Sequence, residues 1–321
     1  DDQPLYFGSL ESHEVMWSCL ILGAFIAIPL IIELTRPSMN SIERDTASGQ
    51  FAQLSQGITH YEWFGPKRGP IVVCIHGLTT PSIVWGSLSK GLALMGCRVL
   101  TYDLYGRGYS DRPRGKQNEA FFTQQLNDLL RHEDITGTIS IVGYSMGGAI
   151  ASAFAATQPE RIGQLVLLAP AGMEIVSGKL VKFIVGTPII GDWLMLAFYP
   201  NKLRKGIQAE RKLRTHVPRI SDQQERELRN RGFVPAVLSS LRGLLNKSQQ
   251  EQHNAIHHAG LPVLAIWGRD DAVIPLTAAD TLTSWSPSTV QVIVDDAGHG
   301  LPYTHATQVL EIIRKAMSAQ S

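Results

Sequence analysis

The chain is short of cysteine and of charge. Its 321 residues contain three cysteines, Cys19, Cys74 and Cys97, in three separate apolar segments and with no CxxC or metal-ligand spacing. So odd and sparse a count excludes a disulfide framework, and the thiols read as small buried hydrophobes. Charged residues make up only 18% of the chain and sum to +1. Nothing in that balance draws the protein to nucleic acid, and no basic motif is placed to reach base edges. No internal repeat or low-complexity tract is present. His257 and His258 stand without further ligands at metal spacing, so neither a metal nor a cofactor is expected. What the chain does have is apolar residues, 44% of the total, enough for one α/β core with an insertion.

The first apolar segment is unlike the rest. Residues 15–32 (VMWSCLILGAFIAIPLII) carry no charge, and as a helix they cross about 27 Å. Glu14 and Glu33 bracket the run, and Trp17 lies where an interfacial aromatic anchor belongs. A cleaved leader would need a basic flank ahead of the run, whereas Asp1, Asp2, Glu11 and Glu14 supply the opposite sign. The run is therefore expected to be a single transmembrane helix over residues 15–33, after a tail of residues 1–14. Arg36 and Arg44 follow it and no Lys or Arg precedes it, which places the remaining domain in the cytoplasm by the positive-inside rule.

Residues 34–50 read as a juxtamembrane linker or short helix. From there short apolar runs alternate with helical patterns. A hairpin is expected at Phe51–Leu54 and Ile58–Trp63. Strands follow at Ile71–Ile75, Arg98–Leu104, Thr138–Val142, Leu165–Ala169, Val263–Trp267 and Val290–Val294. Helices are expected between them near Ser82–Met95, Glu119–Leu130, Gly147–Thr157, Thr277–Ser284 and Thr304–Met317. Strands this continuously apolar, alternating with helices, imply a mostly parallel sheet covered on both faces. The rhythm is broken at residues 172–259, read as a helical cap between core segments 51–171 and 260–321. Over residues 171–260 there are 14 Lys or Arg against 7 Asp or Glu.

Gly143-Tyr144-Ser145-Met146-Gly147 fits G-x-S-x-G, with an apolar strand before it and a small-residue helix after it. That context makes Ser145 a candidate nucleophile on a tight strand-to-helix turn. A serine needs a base, and the base an acceptor that fixes its tautomer. Asp296-Ala297-Gly298-His299-Gly300 follows the last strand, and Trp267-Gly268-Arg269-Asp270-Asp271 follows the one before. Asp271 and His299 are 28 positions apart, room for one helix and one strand. Both loops thus come to the sheet edge that carries Ser145.

With these three sites, His76-Gly77 and Asp103-Leu104-Tyr105-Gly106-Arg107-Gly108-Tyr109-Ser110, the chain resembles the α/β-hydrolase superfamily over roughly residues 51–317. The resemblance implies Ser145, Asp271 and His299 as triad, with Asp270 the adjacent alternative for the acid. It implies the backbone amides of Leu78 and Met146 as oxyanion donors. His76 is then a structural hydrogen-bonder, while Asp103 and Arg107 hold their loop. Epoxide hydrolases and dehalogenases of the superfamily use an aspartate nucleophile, and Ser145 disfavours both.

The cap begins with a strongly apolar stretch, Leu180–Pro200, in which Phe183, Trp193 and Phe198 are candidates for an acyl-pocket wall. Lys202, Arg204, Lys205, Arg211, Lys212 and Arg214 are candidates for contact with anionic lipid head groups. An anchor, an apolar roof and a basic cap together suggest a carboxylesterase, lipase or phospholipase-like enzyme acting on a hydrophobic ester. Other chemistry open to the same triad is C–C bond hydrolysis, perhydrolysis or acyl transfer. A second copy of the chain or a membrane complex is the expected protein partner, the latter as an accessory role with little catalysis.

Overall fold

A computed structural model describes residues 8–174 and 178–318. Eight strands form one sheet: β1 (Gln50–Leu54), β2 (Gly57–Phe64), β3 (Ile71–Ile75), β4 (Arg98–Tyr102), β5 (Ile139–Tyr144), β6 (Ile162–Leu168), β7 (Val263–Gly268) and β8 (Val290–Val294). Their order is β1-β2-β4-β3-β5-β6-β7-β8. The β1–β2 hairpin and the β2–β4 pair are antiparallel, and every other pair is parallel. The parallel strands therefore all end on one edge of the sheet, where their loops gather.

The two-residue period of a strand sorts its side chains between two cores. Val73, Ile75, Ile141, Leu165, Leu167, Ala265 and Trp267 face one layer of helices. Val72, Cys74, Val142, Val166, Leu168, Leu264 and Ile266 face the other. Glu119–His132 and Met146–Thr157 cover the first face, and Leu88–Leu94 and Ala306–Ser318 the second. Being apolar on both faces, the inner strands are continuous runs, which is why they stand out in the sequence. Two expected helices are broken. Gly86 and Ser87 separate a 3₁₀ turn, Ser82–Trp85, from Leu88–Leu94, and the last helix is split at His305.

Residues 172–259 contain five helices among those described: Lys179–Gly186, Ile190–Glu210, Ile220–Glu227, Phe233–Arg242 and Gln250–His258. The last is not part of the cap. Its Ile256 lies in the sheet's own core, and buried His253 stacks on Trp285. Its polar composition suggested a cap segment, but two buried positions one turn apart dock it on the sheet layer. The cap proper has its own apolar cluster of Met195, Leu228, Phe233, Val234, Val237 and Leu238.

The N-terminal apolar run lies within one helix, Gly8–Thr35, whose described apolar side chains are mostly exposed. It touches the domain through the cap. Trp193 Nε1 donates to the Ile26 carbonyl at 2.9 Å, and the Phe25 and Trp193 rings are 5.0 Å apart. Glu33 is buried, accepting from the Gly232 amide at 2.6 Å and pairing with Arg36. A four-residue helix, Ser41–Arg44, follows, capped by Asn40.

Candidate active site

Ser145 occupies the turn between β5 and helix Met146–Thr157, at φ 53° and ψ −119°. This is a strained conformation for a residue with a side chain. Its amide donates to Leu168 O, and its carbonyl accepts from Gly148 and Ala171. The flanking glycines are required by contact distance. A Cβ on Gly147 would lie 2.0 Å from Ile75 O and 2.5 Å from His76 O, and one on Gly143 would lie 2.5 Å from Gly147 O. The turn therefore rests directly on the end of β3.

His299, on the loop after β8, places Nε2 3.0 Å from Ser145 Oγ and Nδ1 2.8 Å from Asp271 Oδ2. The other oxygen of Asp271 accepts from the amides of Val273 and Ile274 at 2.7 and 2.8 Å. Held by these amides, the ionised carboxylate is the acceptor for Nδ1–H, which leaves the Nε2 lone pair toward Ser145. Asp270, the neighbouring alternative, is exposed, whereas Asp271 is buried. Tyr144 steadies the ring from below: its hydroxyl donates to His299 O at 2.9 Å, and the ring centroids are 5.2 Å apart. Ser145 itself is only 8% exposed.

His76 is an acceptor, not a base near the serine. Leu104 N donates to its Nε2 at 2.9 Å, so the proton is on Nδ1, 2.8 Å from Gly77 O. Burial keeps the ring neutral and pulls its pKa down to about 4, against the opposing pull of Asp103. Arg107 is fully buried and ties three segments together. Its Nε donates to Leu78 O at 3.0 Å, Nη1 to Tyr105 O and Gln117, and Nη2 to Ser240 on the cap helix. Burial lowers its pKa to about 9, still charged at neutral pH. Leu78, one of the two expected oxyanion donors, is thus fixed from its carbonyl side. Met146, the other, is the first residue of its helix, where an N–H has no partner within the helix.

A buried ion pair, which the sequence did not signal, braces the same loop. His60 on β2 places Nδ1 2.8 Å from Asp103 Oδ2 and Nε2 2.6 Å from Ser48 O. Both ring nitrogens face acceptors, so both carry protons. Burial opposes this charge, but Asp103 and the Ser48 carbonyl outweigh it and push the pKa up to about 8. Asp103 also accepts from Ser82 N and Tyr109 N.

The aromatic residues expected to line an acyl pocket lie elsewhere. Phe183 and Phe198 are 48% and 59% exposed. Trp193 packs on the N-terminal helix and against Phe198, with ring centroids 6.1 Å apart. Their size marked them as wall residues, but Phe183 is half exposed, and Trp193 and, through it, Phe198 sit on the side of the cap that meets the N-terminal helix. The cap residues that meet Leu78 belong instead to the cluster of Met195, Phe233 and Val237, with Ile184, Leu196 and Tyr199 against it. The i, i+4 spacing of Met195 and Tyr199 was the available signal. The six expected lipid-facing cations, Lys202 to Arg214, are all exposed, with Arg211 paired to Asp222 and Glu225.

A family profile for the α/β hydrolase fold matches residues 70–306, from the start of β3 into the last helix. The chain belongs to the α/β-hydrolase family. Among relatives of this hydrolase is the putative 2-succinyl-6-hydroxy-2,4-cyclohexadiene-1-carboxylate synthase of Bacillus subtilis, 29% identical over 73% of this chain and 85% of its own. Another is the pimeloyl-[acyl-carrier protein] methyl ester esterase of Nitrosomonas europaea, 28% identical over 75% of this chain and 92% of its own. A solved structure of a bacterial membrane phospholipase A aligns with a TM-score of 0.70 at 18% identity, covering 97% of this chain and 98% of that one. At that identity the likeness concerns the fold, and its coverage reaches into the N-terminal helix of this hydrolase.

Proposed function

We propose that the chain is a membrane-anchored serine hydrolase that cleaves hydrophobic carboxylic esters through an acyl-serine intermediate. The observation that carries this reading is the hydrogen-bonded line Asp271–His299–Ser145. Ser145 Oγ attacks the acyl carbon while its proton passes to His299 Nε2, and Asp271 stabilises the imidazolium that forms. The amides of Met146 and Leu78 receive the oxyanion. The alcohol leaves with the proton from Nε2, and water, deprotonated by the same nitrogen, releases the acid.

The anchor reading is supported by helix His13–Thr35, whose apolar window is 6% buried. Arg36 and Arg44, following the helix, favour a cytoplasmic domain. The substrate class is supported by the apolar cap cluster that meets Leu78, and the name of one relative, a methyl ester esterase, fits an acyl ester. The test is a series of p-nitrophenyl esters, from acetate to palmitate, with detergent-solubilised full-length protein. Each methylene buried is worth about 0.8 kcal/mol, so kcat/KM should climb roughly fourfold per methylene until the wall is filled. A flat profile would remove the hydrophobic substrate. Failure to turn over any ester, with Ser145 still reactive, would favour another acyl chemistry, a reading that the synthase name of the Bacillus relative keeps open.

A further inference from the structure

A groove of about 1150 Å³ lies apart from Ser145. It lies between residues 111–118, the cap helix Phe233–Arg242 and the chain leaving the N-terminal helix, and Ser38 and Met39 form part of its wall. Two hydrogen bonds fix it to that exit. Arg231 N donates to Pro37 O at 2.9 Å, and Gly232 N donates to Glu33 at 2.6 Å. Its depth is therefore set by the end of the helix at Thr35. If that helix spans a bilayer, residues 36–39 lie among the head groups.

Six basic and two acidic residues line the groove. Both acids are already engaged, Asp111 by Arg44 and Asp192 by Arg242. Arg112 lies 3.9 Å from Glu227. Arg114, Lys116, Arg231 and Lys247 are exposed, and among the described residues none has an ion-pair partner. Pro235 and Met39 add apolar surface to the same wall. Four uncompensated cations beside apolar surface, held at the foot of a membrane helix, match a phosphate ester joined to an acyl glycerol.

We propose that this groove holds the head group of an anionic phospholipid of the same bilayer, its phosphate met by Arg114, Lys116 and Arg231. The proposal rests on the membrane-anchored reading. A lipid seated there ties the cap helix Phe233–Arg242, whose cluster packs on Leu78, to the surface of the bilayer from which the substrate comes.

The test is native mass spectrometry of full-length protein in detergent, titrated with dioleoylphosphatidylglycerol or dioleoylphosphatidylcholine. Wild type should prefer the anionic lipid. The combined variant Arg114→Gln, Lys116→Gln, Arg231→Gln should lose about fivefold in affinity per charge removed and keep its circular-dichroism melting curve, since the three sites are exposed. Equal binding of the two lipids, or unchanged preference in the variant, overturns the proposal. So does displacement of the lipid by millimolar inorganic phosphate, which would make free phosphate the ligand. Alkaline carbonate extraction of membranes separates the two readings. Wild type and variant should both stay in the pellet, and release of wild type would overturn the anchor and with it the bilayer as the source.

Discussion

Ser145, His299 and Asp271 were legible because each follows an apolar strand, and parallel strands deliver such loops to one edge. The choice of Asp271 over Asp270 follows from the two amides that hold its second oxygen. An asparagine there must turn its NH₂ either toward those two donors or toward Nδ1–H. The ring is then driven to the wrong tautomer. Asp271→Asn should lower kcat by about 10⁴-fold with the fold retained, whereas Asp270→Asn should leave turnover intact; steady-state kinetics on a short ester checks both. His60 and Asp103 were not legible as a pair, because they are 43 positions apart and no motif couples them. Their ion pair has a pH signature. The folded pKa of His60, about 8, is raised above the 6.5 of a free imidazole. Its stabilisation is therefore complete below about pH 6.5 and is lost as pH rises through 8, worth about 2 kcal/mol. His76, with a folded value of about 4, no longer changes the balance above pH 7, and Glu227, raised to about 7, adds to the fall only up to about pH 8. Thermal melts should thus show Tm falling between pH 7 and roughly 9, and His60→Gln should flatten that fall.

At the scale of elements, strands were easier to read than the ends of helices or the allegiance of polar ones. β3 and β8 match their expected bounds because β3 is an unbroken apolar run and β8 is β-branched but for Gln291, each closed by polar or turn residues. Helix Gln250–His258 was assigned to the cap because seven of its nine residues look solvated, while the two that dock it, His253 and Ile256, are too few to outweigh them. The aromatic positions of the cap misled for a related reason. Large apolar side chains mark a buried or membrane-facing surface without saying which neighbour covers it, and the N-terminal helix is far away in sequence. The strand-to-helix turn permits a sharper expectation. A methyl group on Gly147 would meet backbone oxygens of Ile75 and His76, which cannot move without parting β3 from β5. Gly147→Ala should therefore cost about 3 kcal/mol and abolish turnover, whereas Gly206→Ala on a cap helix, where a Cβ meets nothing within 4 Å, should do neither. Thermal denaturation of the two variants makes the comparison.

Across the whole molecule, the N-terminal helix, the cap and the triad are mechanically joined. The helix holds the cap at Trp193 and Gly232. The cap holds Arg107 through Ser240, and Arg107 holds Leu78, beside the serine. None of these contacts has a sequence signature, since each spans more than 25 positions and uses a backbone atom or a lone polar side chain. They link where the protein sits to whether its serine is reached, and they presuppose that the serine is activated. Labelling of detergent-solubilised full-length protein with a fluorophosphonate, followed by intact-mass and peptide analysis, tests that most directly. The account predicts one adduct per chain, on Ser145, absent from Ser145→Ala and slowed severely in His299→Ala. A wild-type chain that stays unlabelled, or a Ser145→Ala chain that labels as well as wild type, would contradict it.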